Sequence, residues 1–328
     1  MSPPRPATLA AASLTTLYLL SADRRAVLMD RSLKQSGLPR PRTRRRGSRR
    51  CQSYLRLNLR VIKMKPPLPK EHGSWAMWSV PLIVGAAVAP AWHWRVLILI
   101  GAALAFFLVR YPLATLIKTR KRPTADRAWW LRWSIGYGLI AAVGGAWLIV
   151  IERLFLLIPI GLIGATLIAF NLWLVYRKQE MSAYGELAGI AGLALGAPLA
   201  YYAAGGQLDG TAALLWLVNA LYFGGTVFYI KLKVRQQPRL PAPDTLAERL
   251  VKAKACLSYQ AVALTVVIAL VALDHVPALL PLAFAPMTLK VLYGAARWQD
   301  KHSLSLPRLG VIEVIHAVLF AVLVIAAF

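Results

Sequence analysis

Acidic residues are scarce in this chain: 13 Asp+Glu stand against 39 Lys+Arg over 328 residues, for a formal net charge of +26. Cysteine is scarcer still. Cys51 and Cys256 are too few for a disulfide framework and lack the spacing of a metal site. The phosphate loop G-x-x-x-x-G-K-[ST], the G-x-S-x-G elbow and H-E-x-x-H are all missing, and nothing is spaced as heme or zinc ligands. No cofactor or metal is expected. The amphipathic periodicity of a soluble helical domain is absent as well, as are the alternating segments of about ten residues that make a β-barrel.

What the chain has instead is apolar length. It is 58% hydrophobic with mean hydropathy +0.55, in repeated near-uncharged runs of roughly 18–23 residues, close to the about 20 that cross a bilayer. The fold class is all-α, a polytopic membrane protein. The spans are expected at 75–92, 96–117, 129–151, 154–176, 187–204, 211–230, 257–273, 276–293 and 309–327, nine in all. Lys and Arg number six in loop 118–132, two at 177–178, seven in loop 231–256 and three in loop 294–308, against two (Arg95 and Arg153) on the other side. Cytoplasmic loops retain positive charge, so the N-terminus is expected inside and the C-terminus outside, in a bacterial inner membrane. Cys256 then falls at a cytoplasmic helix end, where thiols stay reduced.

The positive charge superficially suits nucleic acid, but its distribution fits loops and a leader. Residues 1–63 hold 15 Lys+Arg and 2 acids, and residues 64–328 hold 24 and 11. Membrane lipid is the expected partner, and nucleic acid is not. The leader, with "LPRPRTRRRGSRRC", has three readings: a signal peptide, a transit peptide or polybasic tail on anionic lipid, and an upstream artefact of start-site choice. We take the third, with translation starting at Met64, because "MKPPLPKEHGSW" makes a compact start just before the first span. The domains are then 1–63, a basic and disordered leader, and 64–328, the nine-helix membrane domain.

Within the spans, polar residues gather toward one side. Arg110, in "FFLVRYPLATLIKTRKRP", precedes Lys118 by eight residues, roughly 12 Å along a helix. That exceeds comfortable snorkelling, unless a kink at Pro112 lifts the guanidinium to the headgroups. Asn171 and Arg177 lie near the end of span 4, with Glu180 and Glu186 bracketing the turn into span 5. Asn219 and Tyr222 lie in span 6, which runs into Lys231 and Arg235. Lys290 lies in span 8, and Glu313 and His316 share a face of span 9. A lone Glu-x-x-His is no metal site, since the carboxylate-bridged pattern needs a second copy. Before span 1 stand Lys70, Glu71 and His72, and Asp244 is the expected N-cap of a surface helix in loop 231–256. The glycines Gly185, Gly189, Gly192 and Gly196 have the spacing of close helix packing. Ionisable groups inside a membrane usually face a bundle interior or a wet cavity. The expectation is therefore a cytoplasm-facing cavity richer in cations than anions. Arg110, Lys118, Asn171, Arg177, Lys231, Arg235 and Lys290 would bind, and Glu180, Glu313 and His316 are the candidate acid/base groups.

The stretches "PKEHGSWAMW", "RYPLATLIKTRKR", "YRKQEMSAYGELAGI" and "FYIKLKVR" together resemble the YwiC-like bacterial membrane proteins, over residues 64–328. That resemblance brings no activity with it and supports Met64 as the start. More distantly, the layout is similar to UbiA-type prenyltransferases: nine helices, an inside N-terminus and a cavity open to the cytoplasm. Their Asp-rich motifs, in the loops after helices 2 and 6, hold Mg²⁺ against a prenyl diphosphate. Here the corresponding "RYPLATLIKTRKR" and "FYIKLKVRQQPR" contain no Asp. The expected function is binding of an anionic lipid or phosphorylated ligand, with or without chemistry. The alternatives are a transporter or permease component for a small anion and a scaffold on anionic lipid.

Overall fold

The computed structural model describes residues 66–69, 72–121, 126–298 and 305–328. The leader, Met64, Lys70, Glu71, Arg122 and Lys301 lie outside them, and His72 is described by its backbone alone. Every regular element among the described residues is helical. In chain order they are α1 (His72–Val88), α2 (Arg95–Lys118), α3 (Arg127–Val150), α4 (Leu157–Tyr176), α5 (Ala183–Ala194), α6 (Gly196–Ala204) and α7 (Gly210–Ile230). A π-helical turn, Lys231–Gln236, and a 3₁₀ turn, Gln237–Arg239, prolong α7; α8 (Leu246–Lys252), α9 (Lys254–Ala272), α10 (Leu280–Ala296) and α11 (Leu306–Ala327) follow.

Seven helical stretches among the described residues are long and apolar enough to cross a membrane, so the chain is an integral membrane protein. Gly73–Val88 and Leu280–Ala296, where spans 1 and 8 are expected, are apolar but shorter. Proline accounts for the shortening. α1 stops ahead of Pro90, whose ring disfavours helix in the residue before it, and α10 begins only after Pro277, with Pro281 in its first turn. Pro112 does not end α2, which continues to Lys118. Span 5 is interrupted only at Leu195, between α5 and α6, where the backbone stays right-handed helical (φ −59°, ψ −17°). Pro198 thus lies in the first turn of α6, where a missing N–H leaves no gap in the helix ladder.

Small residues set the packing. Along α5, Cβ atoms at Gly185, Gly189 and Gly192 would meet Leu174, Asn171 and Leu167 in turn, so each glycine brings α5 down onto α4. Gly144 of α3 sits on Ala102 of α2, and Gly85 of α1 on the Ala197 backbone of α6. Two apolar clusters result. One joins Leu82, Leu99, Leu148 and Ala200, from α1, α2, α3 and α6. The other spans α1, α5–α7 and α9–α11 and centres on Tyr222, whose ring stacks on Phe320 at 3.8 Å and meets Phe284 edge-on.

Polar residues close the helix ends. The last carbonyls of α10 have no partner within their helix. Gln237 Nε2 donates to the Gly294 carbonyl (3.0 Å), Arg249 to that of Ala296 (3.2 Å) and Lys233 Nζ to that of Arg297 (3.0 Å). Cations suit this end because the helix dipole makes it negative. Elsewhere Arg95 donates to the Ala203 carbonyl at the end of α6 (2.6 Å) and lies 4.0 Å from Glu152. The cap of α8 is Thr245, not Asp244: its hydroxyl accepts from the Glu248 N–H at 3.3 Å. Asp244 lies one residue too early to reach the orphan amides, and T-L-A-E has the spacing of a capping box. Thr245→Ala should destabilise α8 by about 0.5–2 kcal/mol, seen as faster amide exchange across 246–252 with the membrane helices unchanged.

Candidate functional site

The bundle holds an elongated cavity of about 460 Å³ between α1, α2, α3, α4 and α5. Leu157 and Asn171 of α4 both line it, a separation of about 21 Å along the helix. The volume falls within the roughly 300–1,000 Å³ usual for small-molecule sites. Most of the wall is apolar, with Trp78, Phe107, Gly164 and Gly192 contributing from four helices. Glycines make the room: α5 lies close to α4 yet leaves a slot where their side chains are missing. Trp75, Trp78 and Phe107 pack together along the α1–α2 side, with Trp78 and Phe107 stacked.

One end of the slot is polar. Arg110, Asn171, Glu180, Glu186 and Ser74 line it. Arg110 Nε donates to Asn171 Oδ1 at 2.9 Å, and Asn171 Nδ2 reaches the Gly185 carbonyl at 3.4 Å. Lys118 Nζ pairs with Glu180 at 2.8 Å, and Lys231 pairs with Glu186. Three helix ends are joined by these contacts: the last turns of α2, the α4–α5 turn and the extension of α7. Ser182 stabilises the turn as the N-cap of α5, accepting from the Gly185 N–H at 3.3 Å. The polar end thus presents hydrogen-bond donors and paired charges beside a mostly apolar slot.

Several residues expected at one site are dispersed. Arg110, Asn171 and Glu180 line the slot, while Lys118 and Lys231 reach it through the carboxylates they pair with. Arg177 is exposed, with its guanidinium 5.3 Å from the Trp173 ring. Arg235 turns to the Met181 sulfur at 2.7 Å. Lys290 and Glu313 belong elsewhere: they form a buried pair, Nζ 2.8 Å from both carboxylate oxygens, with Nζ 4.8 Å from the centre of the Tyr229 ring. His316 bonds back to the Ile312 carbonyl of its own helix at 2.8 Å. Asn219 and Tyr222 are core residues. Neither Lys290, Glu313 nor His316 lines the slot, so these expected residues form two separate groupings. The charged residues lining the slot are Arg110, Glu180 and Glu186. Among the described residues no three His, Cys, Asp or Glu side chains gather as ligands for a metal ion.

Sequence reasoning missed the aromatic wall and the buried cation Lys233, which is held by Gln237 Oε1 and the Arg297 carbonyl. The tryptophans of "GSWAMW" are three residues apart, and only that spacing hinted at a shared face. Nothing in the sequence separated Lys233 from the exposed cations around it.

This arrangement defines a multi-helix membrane protein with an apolar, polar-ended slot. Residues 68–201, which include α1, α2 and α4–α5, match the family described as YwiC-like protein, and this stretch is a YwiC-like domain. The chain is 27% identical over 177 residues to the uncharacterized protein YwiC of Bacillus subtilis (strain 168), covering 53% of this chain and 70% of that one. It is 25% identical over 273 residues to an uncharacterized protein of Haemophilus influenzae, covering 80% of this chain and 99% of that one. No solved structure matches.

Proposed function

We propose that this protein binds an amphiphilic lipid with its hydrocarbon in the slot and a phosphate-bearing headgroup at Arg110, Asn171, Lys118 and Lys231. The observation that carries the reading is the shape and polarity of one cavity. It is long and apolar for most of its length, and at one end three cations meet two carboxylates. Guanidinium and ammonium groups form charge-assisted bonds to phosphate oxygens, while buried hydrocarbon contributes about 0.8 kcal/mol per CH₂. In this reading the two shorter helices complete a nine-helix bundle in the inner membrane. Its Lys- and Arg-rich end faces the cytoplasm, and the headgroup sits at that face.

Native mass spectrometry of the detergent-purified protein tests the reading. The wild type should carry a co-purifying phospholipid or polyprenyl phosphate. Arg110→Leu should lower that occupancy about tenfold or more, the scale of a lost charge-assisted bond. Equal occupancy in the two proteins would remove the headgroup from Arg110.

A second reading, a permease component for a small anion, draws on the one-residue interruption of span 5 at Leu195, which lines the slot, since discontinuous helices are common at transport sites. Anion uptake into proteoliposomes is its test.

A further inference from the structure

The slot has a way in from the side. α3 lies along α2 but barely touches α4, although both helices line the cavity and both pack on α2. Phe106 of α2 lines the slot and keeps 37% of its surface accessible. Gly161 of α4 is likewise both a lining residue and an exposed one. A Cβ built at Gly145 of α3 or at Gly161 would meet nothing within 4 Å, so both sides of the gap have space. Gly164, one turn further along α4, lies against the Phe106 ring, 3.7 Å from Cε1 to a Cβ built there.

The outer faces of α3 and α4 are hydrocarbon. Ile140 and Val143 on α3, and Leu162 and Ile163 on α4, are all more than half exposed. Such a surface is stable against lipid tails and not against water. The polar end, by contrast, is crossed by the Lys118–Glu180 and Lys231–Glu186 pairs, which a tail entering there would have to pass. A compact, spherical cavity of the observed volume would be only about 10 Å across, against a length of about 21 Å along α4. The void is therefore chain-shaped.

We propose that α3 and α4 frame a lateral mouth, with Phe106 across it, through which a single-chain alkyl or prenyl phosphate passes between the bilayer and the slot. This rests on the lipid-binding reading above and adds the substrate class and its route. The headgroup slides along the membrane surface to Arg110 and Asn171 while the tail enters sideways past Phe106. The ring closes the gap behind the tail by packing on Gly164.

The test uses full-length protein in phosphatidylcholine vesicles containing a minor fraction of a long-chain alkyl phosphate with a diazirine in its tail. Photo-adducts on the peptides lining the slot are followed against time after the probe is added. Gly161→Trp should lengthen the loading half-time roughly tenfold and Phe106→Ala should shorten it, as expected for a gate, each half-time being read against that variant's own final level. The added Trp side chain starts in open space, so folding should be unaffected. Half-times unchanged in both variants, with normal final labelling, would overturn the lateral mouth and leave the lipid-binding reading standing. A wild type that never acquires adducts inside the slot would overturn that reading, and the mouth with it.

Discussion

Lys290→Met should lower stability by about 3–5 kcal/mol, because it leaves the Glu313 carboxylate buried without its counter-ion. Both side chains are nearly sealed, with exposures of 6% and 4%, and Lys290 holds both carboxylate oxygens at 2.8 Å. Among the described residues, Lys290 is the cation that bonds Glu313. Tyr229 presents its ring face to the ammonium, and Met287, Val291 and Ala317 nearby are apolar and buried. Glu313→Leu should cost a similar amount. The double variant Lys290→Met/Glu313→Leu should recover most of the loss, since removing both charges also removes the cost of keeping them out of water. Thermal unfolding of the four proteins in one detergent measures the coupling. Additive single effects would show that the two groups do not depend on each other. Lipid loading should be unchanged wherever the variants fold, because neither residue lines the slot.

Gly85→Val should be as severe by another route. A Cβ at Gly85 would overlap the backbone carbonyl of Ala197, and backbone cannot rotate aside as a side chain does. Overpacking usually costs about 1–3 kcal/mol, occasionally more. Here α1 and α6 would have to separate along their whole contact, so the upper end or beyond is expected. The readout is loss of folded, monodisperse protein after detergent extraction. Gly73→Val on the same helix is the control, since a Cβ there meets nothing within 4 Å. Equal yields of the two variants would mean that α1 can move away from α6 at little cost.

Much of the helical layout was legible in the chain because bilayer thickness imposes its length on any spanning helix. The apolar runs therefore located the helices. Proline then moved several ends, and those shifts depend on local backbone sterics that hydropathy does not encode: α1 stops before Pro90, and α10 starts after Pro277. The glycine stripe of α5 was read correctly as close packing. What it packs against, and that the same missing side chains leave a slot, depends on which α4 residues lie opposite.

The candidate site was partly legible for a related reason. Depth along a helix is readable from sequence, so Arg110, Asn171 and Glu180 could be placed at one level. Rotation about the helix axis is not. Lys290 and Glu313 lie at a depth resembling that of Arg110, yet they face each other across α10 and α11. His316 shares a helix with Glu313 but turns back to Ile312. Pairing scarce acids with particular cations was also hidden, since Lys118, Arg120 and Lys121 are interchangeable on paper and only Lys118 reaches Glu180.

The π-helical turn at the end of α7 ties these two regions together. Its first residue, Lys231, grips Glu186 beside the slot, and two residues on, Lys233 is bolted to the carbonyl that ends α10. A wide turn of six residues thus works as a crankpin with one arm in each half of the bundle. Whatever shifts the Lys231 arm has only two residues in which to absorb the motion before it arrives at α10.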